Sequence, residues 1–232
     1  MNILAVDTSA LTATVAVFKD GVSVFENNIT NALTHSETLM PMIDYALKSV
    51  KLIPADIDLF AVSNGPGSFT GIRIGVSAVK ALAYSLDKPV FGINTLKSLA
   101  YNLCMLEDIP ICAIMDARRS QVYNAVYKFK DGKCTEIEAP RALPIDELCS
   151  SINEKTYFVG DAVEVYKKQI IDICGDNALL ALPQLRLQKA SSIAYAAFTA
   201  KENEFISPEA LEVVYLRKSQ AERERDERNG IV

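Results

Sequence analysis

An α/β protein made of two related halves is what this 232-residue chain predicts, on three observations. Apolar runs of strand length alternate with segments of helical apolar spacing, which implies a parallel portion of sheet. An antiparallel meander turned by Lys19, Asp20 and Gly21 opens the chain, and a second one turned by Lys130, Asp131 and Gly132 begins past its middle. Half of the residues (50%) are hydrophobic, enough to fill two compact lobes. The echo is one of element order, without a repeat at the level of residues.

The elements follow in order. Strands are expected at Asn2 to Val6, Ala13 to Phe18 and Val22 to Asn28. Thr34 is placed to cap a helix starting near His35, with Glu37 completing a capping box. Leu39, Met42, Ile43, Ala46, Leu47 and Val50 then share one face, and Pro41 is a potential kink. A strand at Ile57 to Val62, a helix from Thr70 to Leu86, a strand at Val90 to Ile93 and a helix from Leu96 to Leu106 complete the first half. Pro110 marks the lobe boundary. Ile111 to Met115 and Val122 to Phe129 read as strands around the run MDARRSQ. A strand at Tyr157 to Val159, a helix near 162–174 and a helix from Ser191 to Glu202 finish the second half. The expected organisation is thus a lobe over 1–108, a lobe over 109–217 and a charged tail over 218–232. The alternating charge of that tail reads as a solvated segment, with binding to a partner as the competing reading.

Between the strand at 57–62 and the helix that follows stands NGPGSFTGIRI, Asn64 to Ile74. Gly65, Gly67 and Gly71 permit positive φ and close backbone approach, and Ser68 or Thr70 can cap the exposed amides of the helix. One reading is an anion held at the helix N-terminus; the other is a tight turn with a capped helix packed on a sheet. The run matches neither the P-loop nor the GxGxxG pattern. The helix itself is apolar on two sides: Ile72, Val76, Val79, Leu82 and Leu86 line one, and Ile74, Ala78 and Ala81 another. Small residues including Gly75 and Ser77 admit close helix contact, either beneath the second half of the same chain or against another molecule.

Composition removes several function classes. A net charge of −5 argues against a stand-alone nucleic-acid binder. No run is long enough for a membrane span and the N-terminus does not resemble a signal peptide, so a cytoplasmic location is expected. Five cysteines without a CxxC pair read as reduced, structural thiols. His35 is the one histidine, which excludes mechanisms needing two imidazoles, a histidine-pair metal site and a metallopeptidase among them. Asp116, Arg118 and Arg119 form a polar cluster after a strand. It reads either as a grip for phosphate or a partner carboxylate, or as an internal Asp–Arg pair locking the lobes.

Taken together, ILAVDTS, THSETLMPMID, SNGPGSFTGIRIGVSAVKALA, MDARRSQVY and the late VVYLR resemble the TsaB family, also called YeaZ, in order from Met1 to about Arg217. The resemblance implies an actin-like, Hsp70-like (ASKHA) two-lobe architecture, each lobe a ribonuclease-H-like mixed sheet with helices. It implies a non-catalytic subunit needed to form N6-threonylcarbamoyladenosine (t6A) at position 37 of tRNAs reading codons that begin with A. The partners implied are the catalytic subunit TsaD and the ATPase TsaE, with tRNA met only through the complex and no membrane or cofactor of its own.

Within that likeness, Asp7, Thr8 and Ser9 occupy the place of the first phosphate loop of actin-like ATPases, but the usual glycine is missing. They are weak cofactor-binding candidates: Asp7 would bind Mg2+ or cap the turn. The resemblance further implies that the helices at about 35–50 and 70–86 pack on their equivalents in the catalytic subunit. His35, Met40, Ile74, Ser77, Ala78 and Ala81 are the expected docking residues, with Arg73 and Lys80 as rim charges. Left bare, the same face would pair two copies into a homodimer. The competing function is an ATP-dependent phosphotransferase or ATPase of the same superfamily.

Overall fold

Two five-stranded mixed sheets carry the same strand topology. The structure is a computed structural model that describes residues 1–30, 34–217 and 225, so the tail expected over 218–232 lies outside the described residues but for Arg225. The first half runs β1 (Asn2–Asp7), β2 (Thr12–Lys19), β3 (Val22–Thr30), α1 (His35–Ser49), β4 (Leu59–Gly65), α2 (Phe69–Ser85), β5 (Val90–Asn94) and α3 (Thr95–Tyr101). The second runs β6 (Ile111–Asp116), β7 (Gln121–Lys130), β8 (Lys133–Pro144), α4 (Ile145–Ser150), β9 (Thr156–Val159), α5 (Ala162–Val165), α6 (Lys167–Cys174), β10 (Ala178–Leu180), α7 (Pro183–Arg186) and α8 (Ala190–Thr199). The sheets are ordered β3-β2-β1-β4-β5 and β10-β9-β6-β7-β8. In each, a three-stranded antiparallel meander is extended by two parallel strands.

Local chemistry accounts for the turns and caps. Asp20 and Gly21 have φ of +52° and +83°, and Asp131 and Gly132 +49° and +71°. Two successive positive values are what a two-residue hairpin turn compatible with strand twist requires, and an Asp-Gly pair adopts them at low cost. At the start of α1 the Glu37 carboxylate accepts the Thr34 N–H at 3.0 Å and the Thr34 hydroxyl at 2.7 Å. The helix continues through Pro41, which lies on its solvent side.

Both faces of each sheet are covered, so the central strands read as unbroken apolar runs rather than alternating ones. Leu4, Val6, Val15 and Val62 face α1 and α2, whose Leu39, Ile43, Val76 and Val79 complete one core layer. Ile3, Ala5, Ala16 and Leu59 face the other way, onto Ile193, Ala194 and Ala197 of α8. In the second sheet, Cys112, Ile114 and Phe158 lie beneath α4 to α6, and Ala113, Ala125 and Tyr127 meet Leu96, Leu99 and Ala100 of α3. Each half therefore lends its last long helix to the other: α3 packs on the second sheet, α8 on the first, and the two helices touch. The boundary drawn near residue 108 separates the sheets but is crossed by these helices.

Three helices are shorter than their periodicity suggests: α8 ends at Thr199 rather than Glu202, and two others stop at long-range contacts. The segment 162–174 breaks at Tyr166, φ −111° and ψ 16°, where the tyrosine hydroxyl donates to Asp116 Oδ1 at 3.2 Å. The expected helix beyond Leu96 ends at Tyr101, where the next residue, Asn102, sends its amide to the carbonyls of Leu185 and Leu187 at 2.9 and 2.8 Å. In both places a long-range hydrogen bond overrides local propensity.

All five cysteines are free thiols, and Cys112, Cys149 and Cys174 are buried. Burial pushes Cys149 up to about 12 and half-buried Cys134 up to about 11. Since the thiolate is the reactive form, we expect the three buried thiols to resist a disulfide reagent at pH 8 in the native protein. All five should react in denaturant; rapid native titration of all five would contradict this packing. Among the described residues no helix is long and apolar enough to cross a membrane.

Candidate functional site

The sequence-level candidates gather where β1 ends against the first turn of α2. Asp7 is wholly buried. Its Oδ1 accepts the Ser9 N–H at 2.7 Å and the Ser9 hydroxyl at 2.6 Å, and Oδ2 accepts the Ser63 hydroxyl. Burial raises its pKa from the ordinary 3.8, opposed by these hydrogen bonds and by the charge of His35. Thr8 and Ser9 are buried as well. The Thr8 hydroxyl donates to the Gly71 carbonyl at 2.7 Å, and the Ser9 carbonyl accepts the Ser68 N–H at 2.6 Å. Asp7 thus presents no oxygen to solvent; it and its neighbours bind the strand end to the helix start.

That contact explains three of the four glycines of GPGSFTGIRIG, while the first, Gly65, lies against the Val214 carbonyl. A Cβ at Gly67 would collide with the Ser9 carbonyl, one at Gly71 with the Thr8 carbonyl and one at Gly75 with the Thr8 hydroxyl. Gly67, at φ +154°, also adopts a backbone conformation that L side chains rarely take. Ser68 caps the helix by accepting the Gly71 N–H at 3.2 Å. Of the two sequence readings of the turn, the capped helix packed on a sheet is the geometry observed.

Above this clasp an interlobe cleft of roughly 670 Å3 opens, walled by Ser9 to Leu11, His35, Gly67 to Gly71 and Ile74 from one half, and by Met115 to Arg118, Tyr123 and Asp161 from the other. His35 Nε2 lies 2.7 Å from the Ala10 carbonyl, which fixes that nitrogen as the protonated one and ties α1 to the β1–β2 turn. Across the cleft, Asp116 accepts the Arg118 N–H at 2.9 Å and faces its guanidinium at 3.3 Å. Asp161 is pushed up in pKa by burial, opposed by the Asp116 N–H that it accepts at 3.3 Å and aided by the charge of the Asp116 carboxylate. Arg118, Arg119 and Ser120 have φ of +65°, +54° and +56°, three consecutive left-handed residues that hold the β6–β7 hairpin at the cleft rim. Arg217 reaches back to the Ala117 carbonyl at 3.1 Å. The Asp116–Arg118 pair is therefore internal to one loop, while Arg119 is exposed. Among the described residues no group of three His, Cys, Asp or Glu side chains is placed to hold a metal.

The outer face of the two N-terminal helices is the second candidate. Ser77 and Ala81 of α2 and Met40 of α1 are exposed, and Ile74 and Ala78 are half-buried at the edge of the core. Arg73 and Lys80 are engaged elsewhere. The Arg73 guanidinium lies 3.9 Å from the Phe69 ring centre and its Nε donates to the Tyr215 hydroxyl at 2.7 Å. The Tyr215 ring stacks on Phe69 at 4.4 Å. Lys80 donates to the carbonyls of Glu209 and Leu211 at 3.2 and 3.0 Å. The second apolar side of α2 is thus divided: the returning segment 206–217 covers one flank, and Ile74, Ser77, Ala78 and Ala81 remain on the other. Spacing gave no sign of a role for Tyr215, Tyr166 or Asp161; Tyr215 is quoted only as part of the VVYLR run, and Tyr166 lies in no motif.

A family model described as "TsaD: tRNA N6-adenosine threonylcarbamoyltransferase" matches residues 29–224. The chain is 32% identical over 225 residues to the Bacillus subtilis (strain 168) "tRNA threonylcarbamoyladenosine biosynthesis protein TsaB", covering 96% of each. YeaZ from Pseudomonas aeruginosa superposes with a TM-score of 0.79 at 25% identity, over 93% of this chain and 99% of that one. At 10% identity and a TM-score of 0.52, the ethanolamine utilization protein EutJ from Carboxydothermus hydrogenoformans shares the fold alone, covering 84% of this chain and 89% of its own. The architecture is accordingly the actin-like one, built twice from a ribonuclease-H-like sheet.

Proposed function

The chain belongs to the TsaB (YeaZ) family, whose named relatives take part in tRNA threonylcarbamoyladenosine biosynthesis, and from that premise we propose that it is the non-catalytic partner subunit of t6A formation at tRNA position 37. It acts by pairing with a TsaD-type catalytic subunit through α1 and α2 and working with a TsaE-type ATPase. It meets tRNA only through that complex, in the cytoplasm. In isolation two copies pair through the same face.

The observation that carries this reading is the remaining face of α2. Ile74, Ser77, Ala78 and Ala81 form a strip of small and apolar side chains, and α1, which packs against α2, adds exposed Met40. Small residues let a facing helix approach closely, and burying such a strip is favourable by about 25 cal/mol per Å2 of apolar area. A family relation to TsaD supports a partner built from the same helix pair, since like faces pack around a pseudo-twofold axis. The buried Asp7 and the lone histidine support a subunit that leaves the chemistry to its partner.

The test is the t6A yield on an A-decoding tRNA in a mixture of the other pathway proteins, with and without this chain. We expect product only with it, and none from the chain alone. Undiminished product on its omission would overturn the role.

A further inference from the structure

On the side of the first sheet away from α1 and α2, a second depression of about 440 Å3 lies between α3, the C-terminal end of α8 and the β7–β8 turn. Three lysines from separate elements line it: Lys97 on α3, Lys133 after the turn and Lys201 beyond α8. Some cations elsewhere are paired, with Lys48 on Asp44, Lys130 on Asp108 and Lys189 on Glu26. The ammonium groups of Lys97, Lys133 and Lys201 have no ion pair or hydrogen bond among the described residues. Three unpaired positive charges around one concavity, in a chain of net charge −5, repel one another and focus a positive potential there.

The rest of the lining is that of a small-molecule site. Tyr101 supplies aromatic surface, with Ala200 and the Thr135 hydroxyl beside it; Phe91 and Ala196 are buried beneath, and the Thr199 hydroxyl already donates to the Tyr195 and Ala196 carbonyls. Glu204 is the one carboxylate in the lining, and its Oε1 is already accepting the Lys201 N–H at 2.9 Å. Tyr101 stays a neutral hydroxyl, because burial and then Cys134 push its pKa up to about 12. Pockets for organic ligands are typically about 300–1,000 Å3, so this one has room for a mononucleotide.

We propose that this pocket binds a small phosphorylated ligand of nucleotide size, its phosphoryl oxygens held by Lys97, Lys133 and Lys201 and its planar ring laid against Tyr101. A free ligand is favoured over an RNA strand because the net negative field of the protein repels a polyanion in proportion to its charge. The site is independent of the interlobe cleft and of the partner face: β7 runs from the cleft to this pocket, about 30 Å at the usual strand rise, and α1 and α2 lie on the opposite side of the first sheet. Its failure would leave the proposed partner role untouched.

The experiment is calorimetric titration of ATP, inorganic phosphate and a short single-stranded oligoribonucleotide into the full chain. It compares the unaltered protein, the double variant Lys133→Ala/Lys201→Ala, and a control, Lys167→Ala/Lys168→Ala on α6 beyond the second sheet. The four substituted side chains are all exposed, and matching melting curves confirm that the variants fold. ATP is expected to bind, more tightly than phosphate, and to lose about tenfold in affinity per lysine in the double variant and nothing in the control. No ATP binding up to millimolar concentration, or ATP affinity unchanged in the double variant, would overturn the site. Oligoribonucleotide binding that depends on the same lysines and exceeds that of ATP would overturn the free-ligand assignment in favour of a strand.

Discussion

Replacing Ala78 with Glu is expected to abolish pairing of this chain with a TsaD-type subunit and its own homodimerisation, and with them t6A formation, while the isolated chain keeps its fold. Ala78 stands at the centre of the α2 strip and is half-buried at the core edge, so a longer side chain has room to reach solvent in the free protein. In a helix-to-helix interface the same carboxylate would be desolvated without a partner, at a cost of about 3 kcal/mol or more, which is at least a hundredfold in Kd. Sedimentation or light scattering reads the homodimer, co-purification the heterodimer, and thermal melting the fold. A heterodimer that survives the substitution removes this face from consideration. Arg73→Ala should behave differently, since it breaks the stack with Phe69 and Tyr215 inside the chain: a loss of stability of about 1 kcal/mol precedes any effect on pairing.

Asp7→Ala is expected to destabilise the fold by about 3 kcal/mol, because the Ser9 amide and the Ser9 and Ser63 hydroxyls lose their shared acceptor in a dry environment. Asp7→Asn keeps an oxygen for Ser9 and should recover most of that loss. The comparison separates a structural carboxylate from a catalytic one, for which Asn would be as damaging to activity as Ala. The pH dependence follows from the raised pKa. The folded state binds the Asp7 proton more tightly than the unfolded chain, so the unaltered protein should gain stability relative to Asp7→Asn as pH falls. The gain begins as pH falls through the raised folded value and is complete below the ordinary 3.8. Denaturant melts of both proteins at several pH values measure it, and a relative loss toward acid would show that the hydrogen bonds, rather than burial, dominate at this carboxylate.

Much of the architecture was legible because its signals are local. The Asp-Gly turns, the Thr34–Glu37 cap and the apolar spacing of α1 and α2 act over four residues or fewer, and each stands where its chemistry requires. The site was legible only in part. GPGSFTG announced a special backbone without saying what approaches it, since a glycine reports the missing Cβ and not the atom that fills the space. The occupants are the Ser9 and Thr8 carbonyls, about sixty residues earlier, at Gly67 and Gly71, and the Val214 carbonyl, about 150 residues later, at Gly65. The helix breaks at Tyr166 and after Tyr101 left no periodic trace, because each is imposed by a hydrogen bond to a distant residue.

By itself the sequence determined the order of elements in the first half, the outline of the second and the motifs that mark the family, for these depend on side-chain periodicity and turn chemistry within short windows; β8, α4, β10 and α7 had no expected counterpart. Only the tertiary structure decided that α3 and α8 exchange places between the sheets, that Asp7 faces inward, and that Arg73 and Lys80 turn to the returning C-terminal segment. It also decided that Lys97, Lys133 and Lys201 surround one pocket. The physical reason is separation along the chain: Arg73 meets Tyr215 across 142 residues, and nothing in either one's neighbourhood encodes the other. Such contacts are selected by the packing of whole layers, in which each residue's partner is set by where both sheets place their faces.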